Sequence, residues 1–217
     1  MRLWQFSEPF DYHFARANRV GGTWQEGEYR ERRRPIVVEW KPDSDVVGDF
    51  TWPGLDTDIL VADRVGVALK EARIDGFELR KVEMVENSNA ERSSNKPRVK
   101  LPYSGPQLSD LWVTAWTNID RERSTVTRID ADDGAVHFEL AGAQRREKVW
   151  DQRRMELTTQ IHPRLEGQGL FVPPIRGIFR VEEFPGSIFC CDTVKHLIEE
   201  SGFTNVSFLE MGDVQQE

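Results

Sequence analysis

The chain has 217 residues and a net charge of −8, and its composition is 38% hydrophobic and 30% charged. That length allows one large domain or two small ones, and the acidity argues against nucleic acid as the main partner. The first residues contain no apolar signal core, and no segment has the roughly 20 apolar residues of a membrane helix. With only two adjacent cysteines, Cys190 and Cys191, we expect a soluble cytoplasmic protein without a membrane partner.

In chain order, the first clear strand prediction is 36–40, which Lys41 and Pro42 close. Much later, residues 86–97 contain a single apolar side chain among asparagines, serines and charges. This composition predicts an exposed loop. We interpret it as an insertion in a single α+β domain that covers residues 1–217, not as a boundary between two domains.

Two stretches, 52–82 and 184–210, resemble diverged copies of one strand–helix–strand unit that follows an aromatic-Pro-Gly turn. From Ile59 and Ile188 onward they align without gaps. In each copy an aspartate, Asp63 or Asp192, precedes an amphipathic run and is predicted to cap a short helix, while Gly202 fits a left-handed cap after the second helix. Convergent local chemistry is the alternative to duplication. We expect both copies to pack around a common sheet.

The sequence between the two copies has mainly β character. Residues 111–117 form a breaker-free apolar run, which predicts a buried strand. An Asp133-Gly134 pair between 124–130 and 135–140 predicts a hairpin, and 147–150 with 155–161 suggest a second strand pair. Further strands are predicted at 169–172 and 178–181. The predicted fold class is therefore α+β, with a mostly antiparallel sheet and two short helices.

Motifs that would carry catalysis are missing from the sequence. It contains no Walker loop, G-x-G-x-x-G, H-E-x-x-H or G-x-S-x-G motif. The acidic run 130–134 lacks the glycine and glutamate positions of an EF-hand loop. We therefore assign no catalytic residue, cofactor or metal ligand and predict a binding protein. The alternatives are a regulatory or structural module, or an enzyme whose site is assembled from distant residues around His137 or His162.

Several segments together resemble a known family, the immunity proteins of bacterial polymorphic-toxin systems, and in particular the double-CXXCG-motif group. The resemblance covers roughly residues 48–214, and its motifs are structural. Members carry C-x-x-C-G pairs, one of them near the hairpin at 130–134. This chain has neither pair, so no zinc site is implied, and it belongs either to a zinc-free branch or to a relative of the group. The segments that carry the resemblance are 48–54, 110–116, 119–124, 179–186 and 188–211.

The resemblance implies a cytoplasmic, non-enzymatic protein that binds a cognate protein toxin and blocks it by occlusion. The toxin would be encoded next to this protein. Charge complementarity would speed the association, and a few desolvated anchors would supply most of the affinity. The predicted contact residues are the acidic hairpin tip, Asp130, Asp132 and Asp133, together with the polar loop 86–97.

Overall fold

The computed structural model describes residues 1–9, 13–20, 28–31, 35–54, 57–87, 97–130, 136–151 and 155–215. These ranges contain sixteen strands and three helices, and two of the helices have nine residues each. In chain order the elements are β1 (Arg2–Ser7), β2 (Ala17–Arg19), α1 (Glu28–Glu31), β3 (Ile36–Trp40), β4 (Phe50–Gly54), β5 (Asp58–Ala62), α2 (Asp63–Glu71), β6 (Phe77–Val85), β7 (Leu108–Val113), β8 (Trp116–Thr117), β9 (Val126–Asp130), β10 (Val136–Leu140), β11 (Arg145–Asp151), β12 (Glu156–His162), β13 (Leu170–Val172), β14 (Ile178–Val181), β15 (Phe184–Cys191), α3 (Asp192–Glu200) and β16 (Ser207–Val214).

Twelve of the strands form two six-stranded sheets. The first sheet has the order β2-β3-β6-β7-β5-β4, and the second sheet has the order β13-β16-β1-β15-β14-β8. Most neighbours are antiparallel, with parallel pairs at β3/β6, β13/β16 and β14/β8. The remaining four strands form two separate hairpins, β9–β10 and β11–β12. The predicted α+β class with largely antiparallel sheets is confirmed.

Five neighbouring strands follow the same path in both sheets. The order β3-β6-β7-β5-β4 in the first sheet corresponds to β13-β16-β1-β15-β14 in the second, with the same parallel and antiparallel directions. The registers also agree, because Ala62 lies opposite Leu108 where Cys191 lies opposite Leu3. The prediction of one common sheet is wrong, since each strand–helix–strand stretch lies in a sheet of its own.

The largest core cluster combines side chains from both sheets and from both long helices. The side chains of β5 alternate between the two faces of the first sheet. Ile59 and Val61 point into this shared core, while Leu60 points to the opposite face. Helix α2 contributes Val65, and α3 contributes its equivalent, Val194. Each such fully buried aliphatic side chain stabilises the fold by about 1.5–3 kcal/mol. The helices therefore hold the two sheets together through a single apolar layer.

Matching backbone hydrogen bonds also join the two sheets. The N–H of Phe50, which begins β4, donates to the carbonyl of Thr204 at 3.3 Å. In the same way the N–H of Ile178, which begins β14, donates to the carbonyl of Asp75 at 3.0 Å. Thr204 and Asp75 lie in the turns that follow α3 and α2. Each sheet is thus bonded to the helix–strand turn of the other.

The helix ends differ in part from the sequence prediction. Asp63 and Asp192 are the first helical residues, not the caps, and neither helix has a side-chain capping bond. The carboxylate of Asp192 instead accepts hydrogen bonds from the Arg2 N–H at 2.8 Å and the Trp4 indole at 2.7 Å. A carboxylate in the first helical turn still interacts favourably with the helix dipole. The left-handed cap at Gly202 is confirmed, with φ of +63°.

Other sequence predictions are refined by the structure. The strand predicted at 111–117 is split into β7 and β8, because the N–H groups of Thr114 and Ala115 both donate to the Gly76 carbonyl. The first aromatic-Pro-Gly element lies at the end of β4, before a turn, whereas the second begins β15, after a turn. Residues 88–96 of the predicted loop lie outside the described ranges. No helix in those ranges is long and apolar enough to cross a membrane.

Candidate interaction surface

The predicted contact residues are only partly placed by the structure. Asp130 ends strand β9 with an exposed side chain, whereas Asp132 and Asp133 lie outside the described residues. The carboxylate of Asp130 accepts a hydrogen bond from Arg128 Nε at 2.9 Å. Because Arg128 lies two positions earlier, on the same face of the strand, it partly compensates this acidic charge. An exposed pair of this kind contributes at most about 1 kcal/mol to stability.

The hairpin β9–β10 is seated at its base on the second sheet. Val126 and Leu140, opposite each other across the ladder, pack against that sheet's outer core cluster. Farther along, the Phe138 ring lies 6.3 Å from the ring of Phe184. An isolated two-stranded ribbon is only marginally stable in water, so these base contacts explain how it persists outside the sheets.

The hairpin β11–β12 is fixed by polar contacts to β16. Gln144 and Glu210 exchange hydrogen bonds at 2.8 Å, and Arg146 donates to the carbonyl of Glu8 at 3.0 Å. On the other side of the base, the nearly buried Arg164 donates to Glu210, to Asp213 and to the backbone. Burial lowers the pKa of Arg164, but the bonds to these two carboxylates outweigh it and raise the pKa. The base of the hairpin is therefore bonded to the second sheet, and among the described strands its two strands pair only with each other.

Exposed apolar side chains are concentrated on these two hairpins and on the residues just after them. Six of the ten large hydrophobic side chains that are exposed in the described residues lie between positions 129 and 165. Ile129 and Val136 lie on opposite faces of the β9–β10 ladder, whereas Trp150 and Ile161 share one face of β11–β12. Exposed apolar groups that share a face mark interaction sites more often than scattered single residues do. The six are Ile129, Val136, Trp150, Met155, Ile161 and Leu165.

One face of the β11–β12 ribbon is apolar and basic. Trp150 and Lys148 share this face with Arg146, since side chains alternate along a strand. Ile161 lies directly opposite Arg146 in the ladder. Trp150 is 53% exposed and Ile161 is 55% exposed. We define Arg146, Lys148, Trp150, Thr159 and Ile161 as the ribbon face; none of them is a carboxylate. Sequence reasoning predicted the hairpin but missed this face, although the period-2 alternation of these residues in β11 could have indicated it.

The opposite face of the ribbon holds His162, one of the two histidines considered for an assembled enzyme site. Its Nε2 lies 3.0 Å from Glu147 Oε2 on the surface. His137 is exposed on β10, opposite Ile129. The structure therefore brings neither histidine into a cleft. In the described part of the chain, no group of three or more His, Cys, Asp or Glu side chains is placed to hold a metal ion.

The two cysteines are free thiols buried at the end of β15. Cys190 and Cys191 are 0% and 2% exposed. Burial raises the pKa of the Cys190 thiol well above its ordinary value, so at neutral pH it stays protonated and unreactive. They belong to the shared core, which agrees with the interpretation of at least one of them as a small core residue.

No family model matches the chain, and no curated protein is significantly similar to it. Membership of the immunity-protein family therefore stays a prediction from the sequence resemblance, and the geometry of the hairpins is the structural observation that bears on function.

Proposed function

We propose that this protein is an immunity protein that binds a cognate bacterial toxin and neutralises it by occlusion. It would act in the cytoplasm, without catalysis of its own, against a toxin encoded next to it. The observation that carries the proposal is the ribbon face: exposed apolar groups on a hairpin whose base is fixed by Arg146, Arg164 and Gln144. A hairpin that is bonded at its base loses less conformational entropy on binding than a free loop does, which leaves more of the contact energy as affinity.

The dimensions of the β11–β12 hairpin suit occlusion. Each strand has seven residues, and at about 3.3 Å per residue such a strand is about 23 Å long. A ribbon of that length can enter a cleft or cover its mouth. Trp150, next to the far end of β11, would be the main anchor, because aromatic side chains that are desolvated in a pocket dominate interface energetics.

Charge would contribute mainly to the rate of association. The protein carries a net charge of −8, and the acidic tip of the neighbouring hairpin includes Asp130, Asp132 and Asp133. This field steers basic surfaces toward the molecule. We therefore expect a partner with a mixed surface, basic where it meets the acidic tip and apolar where it meets the ribbon face.

A growth-rescue assay tests this function. The product of the adjacent upstream reading frame is expressed under an inducible promoter, alone or together with this protein or its variants. Trp150→Ser and Ile161→Ser should abolish rescue and co-purification without lowering the melting temperature. The matched control is Val67→Ser, since Val67 is equally exposed, at 53%, but lies on helix α2. Equal rescue by all three variants would contradict a role for the ribbon face.

A harmless neighbour, or a toxic one that is not rescued by the unmodified protein, would contradict the immunity function itself. Replacing Asp130, Asp132 and Asp133 together by serine tests the acidic tip. We expect slower association and a weaker dependence on salt, with little effect on dissociation. Association rates that do not change across salt concentrations would remove the acidic tip from the interface.

We also propose that the two sheets arose by duplication of one unit within a single domain. The equal strand order, the equal registers and the matching bonds at Phe50 and Ile178 support this. One strand differs in chain position, because β7 follows β6 directly whereas its counterpart β1 precedes the second unit. The duplication predicts that a permutant in which residues 1–9 follow residue 215 folds normally, since Val214 N–H already donates to the Met1 carbonyl at 2.7 Å. Failure of this permutant to fold cooperatively would contradict the equivalence of β1 and β7.

A further inference from the structure

A cavity of about 680 Å³ lies where the two sheets meet. Its walls come from the turn after α2, from the turn between β13 and β14, and from the start of α3. This volume falls within the range of small-molecule sites, about 300–1,000 Å³. The lining residues that matter here are Arg73, Ile74, Asp75, Ile175, Arg176 and Thr193.

The equivalent place in the first sheet is filled. Arg64 and Thr193 are each the second residue of a helix, and Asp49 and Gly177 each accept a backbone bond from the residue that precedes the helix. In the first sheet the guanidinium of Arg64 binds both carboxylate oxygens of Asp49 and lies 4.9 Å from the centre of the Phe203 ring. In the second sheet Thr193 and Gly177 lack these groups. The part of the cavity beside Thr193 and Gly177 therefore corresponds to the place where the first sheet holds an arginine–aspartate pair.

The rim of the cavity carries two arginines that have no counterpart in the filled site. Arg73 has a left-handed backbone, with φ of +52°, at the position where the second unit has Gly202, with φ of +63°. A non-glycine residue in this conformation costs about 1–2 kcal/mol. Among the described residues, no ion pair or hydrogen bond involves the side chain of Arg73 or Arg176. Arg73 and Arg176 thus place two guanidinium charges beside the single carboxylate of Asp75, in a protein whose net charge is −8.

We propose that this cavity binds a small organic anion. The apolar body of the ligand packs against Ile74 and Ile175, and its carboxylate or phosphate group is bound by Arg73 and Arg176. Guanidinium groups suit such a ligand because their planar donor pairs match carboxylate and phosphate oxygens. The site lies between both sheets, and none of the residues that line it belongs to the two hairpins.

Calorimetric titration with benzoate, phenyl phosphate and the neutral benzamide tests the proposal. Both anions should bind the unmodified protein and benzamide should not; which anion binds tighter distinguishes a carboxylate from a phosphate ligand. The double variant Arg73→Gly/Arg176→Gln should weaken anion binding by about tenfold or more. Its melting temperature should not fall, because glycine is the residue that this backbone conformation favours.

A second variant blocks the cavity instead of removing its charge. Thr193→Arg supplies the side chain that fills the equivalent place in the first sheet, so it should abolish binding of both anions while adding positive charge. The control variant, Arg128→Gln/Arg145→Gln, removes two charges from the hairpins and should bind the anions normally. The proposal is overturned if benzamide binds as well as benzoate, if neither anion binds, or if Thr193→Arg binds like the unmodified protein.

Discussion

The carboxylate of Asp49 joins the two sheets, and we predict that Asp49→Asn destabilises the protein far more than Arg64→Gln. Asp49 lies just before β4, and its side chain is 9% exposed. It accepts hydrogen bonds from the backbone N–H and the hydroxyl of Thr204, both at 2.7 Å. It also accepts from Nε and Nη2 of Arg64. Because Thr204 follows helix α3, the bonds of this carboxylate cross from one unit to the other.

The expected magnitudes follow from exposure. A hydrogen bond to a charged group contributes about 1.5–3 kcal/mol when its partner is buried. An asparagine at position 49 keeps one acceptor oxygen, but it loses the charge and turns an amide donor toward Arg64. We therefore expect Asp49→Asn to lower the free energy of unfolding by about 2–3 kcal/mol. Arg64 is 56% exposed, so Arg64→Gln should cost less than about 1 kcal/mol.

Urea unfolding followed by tryptophan fluorescence measures both variants. Equal losses for Asp49→Asn and Arg64→Gln would show that only the ion pair with Arg64 matters and that the negative charge does not strengthen the bonds from Thr204, which would refute the reasoning. The pH dependence gives a second readout. Burial raises the pKa of Asp49, but the bonds from Arg64 and Thr204 outweigh it and hold the pKa below 3.8. The unfolded state then binds more protons in acid, so this stabilisation is complete above about pH 4 and is lost as pH falls through the folded pKa; Asp49→Asn should show less acid sensitivity.

Three further predictions concern the interior. Gly76→Ala should lower the free energy of unfolding by more than about 3 kcal/mol, because φ is +90° and the added Cβ would lie 2.0 Å from a β14 carbonyl oxygen. Its control is Gly167→Ala, where φ is +72° but the space around the added Cβ is open. This variant should lose about 1 kcal/mol in the same urea assay. Burial raises the pKa of Tyr103 to about 12, so ultraviolet titration should show a tyrosine that ionises near pH 12, and this step should be missing in Tyr103→Phe. A thiol reagent should modify Cys190 and Cys191 only after unfolding, and rapid reaction of the native protein would contradict their burial.

Several strands and both long helices could be predicted from local patterns, because the spacing of apolar residues within one element decides which face of it is buried. The alternation at Ile36, Val38 and Trp40 places three buried side chains on one face of β3. The spacing of Val65 and Leu69 in α2 buries both against the core. Sheet partners could not be predicted in the same way. Whether a strand pairs with a neighbour in the chain or with a distant strand depends on long-range packing, and a short stretch of sequence carries no information about that packing.

The candidate sites were harder to predict for a related reason. Asp130 was chosen for its acidic surroundings, yet only coordinates show that Arg128 is bonded to it. The ribbon face depends on knowing that β11 and β12 lie outside both sheets, since Trp150 would otherwise be expected in a core. One part of the cavity exists because two side chains are smaller in the second unit than in the first: Thr193 stands in place of Arg64, and Gly177 stands in place of Asp49. A comparison of the aligned copies could have indicated Thr193 in place of Arg64.

The position of β1 in the second sheet has a consequence for how the chain acquires its structure. Strand β1 is paired on both sides, with β15 and β16, and Trp4 bonds to Asp192, which is 188 residues away in the chain. During synthesis on the ribosome, β1 is made before β15 and β16. It therefore stays unpaired, with Leu3 and Phe6 exposed, until both of these strands have been made. Pairing across so long a separation is slow, and an unpaired apolar strand is open to aggregation. We therefore expect the protein to depend on chaperones during synthesis, and we expect this dependence to fall when apolar side chains of β1 are replaced by polar ones.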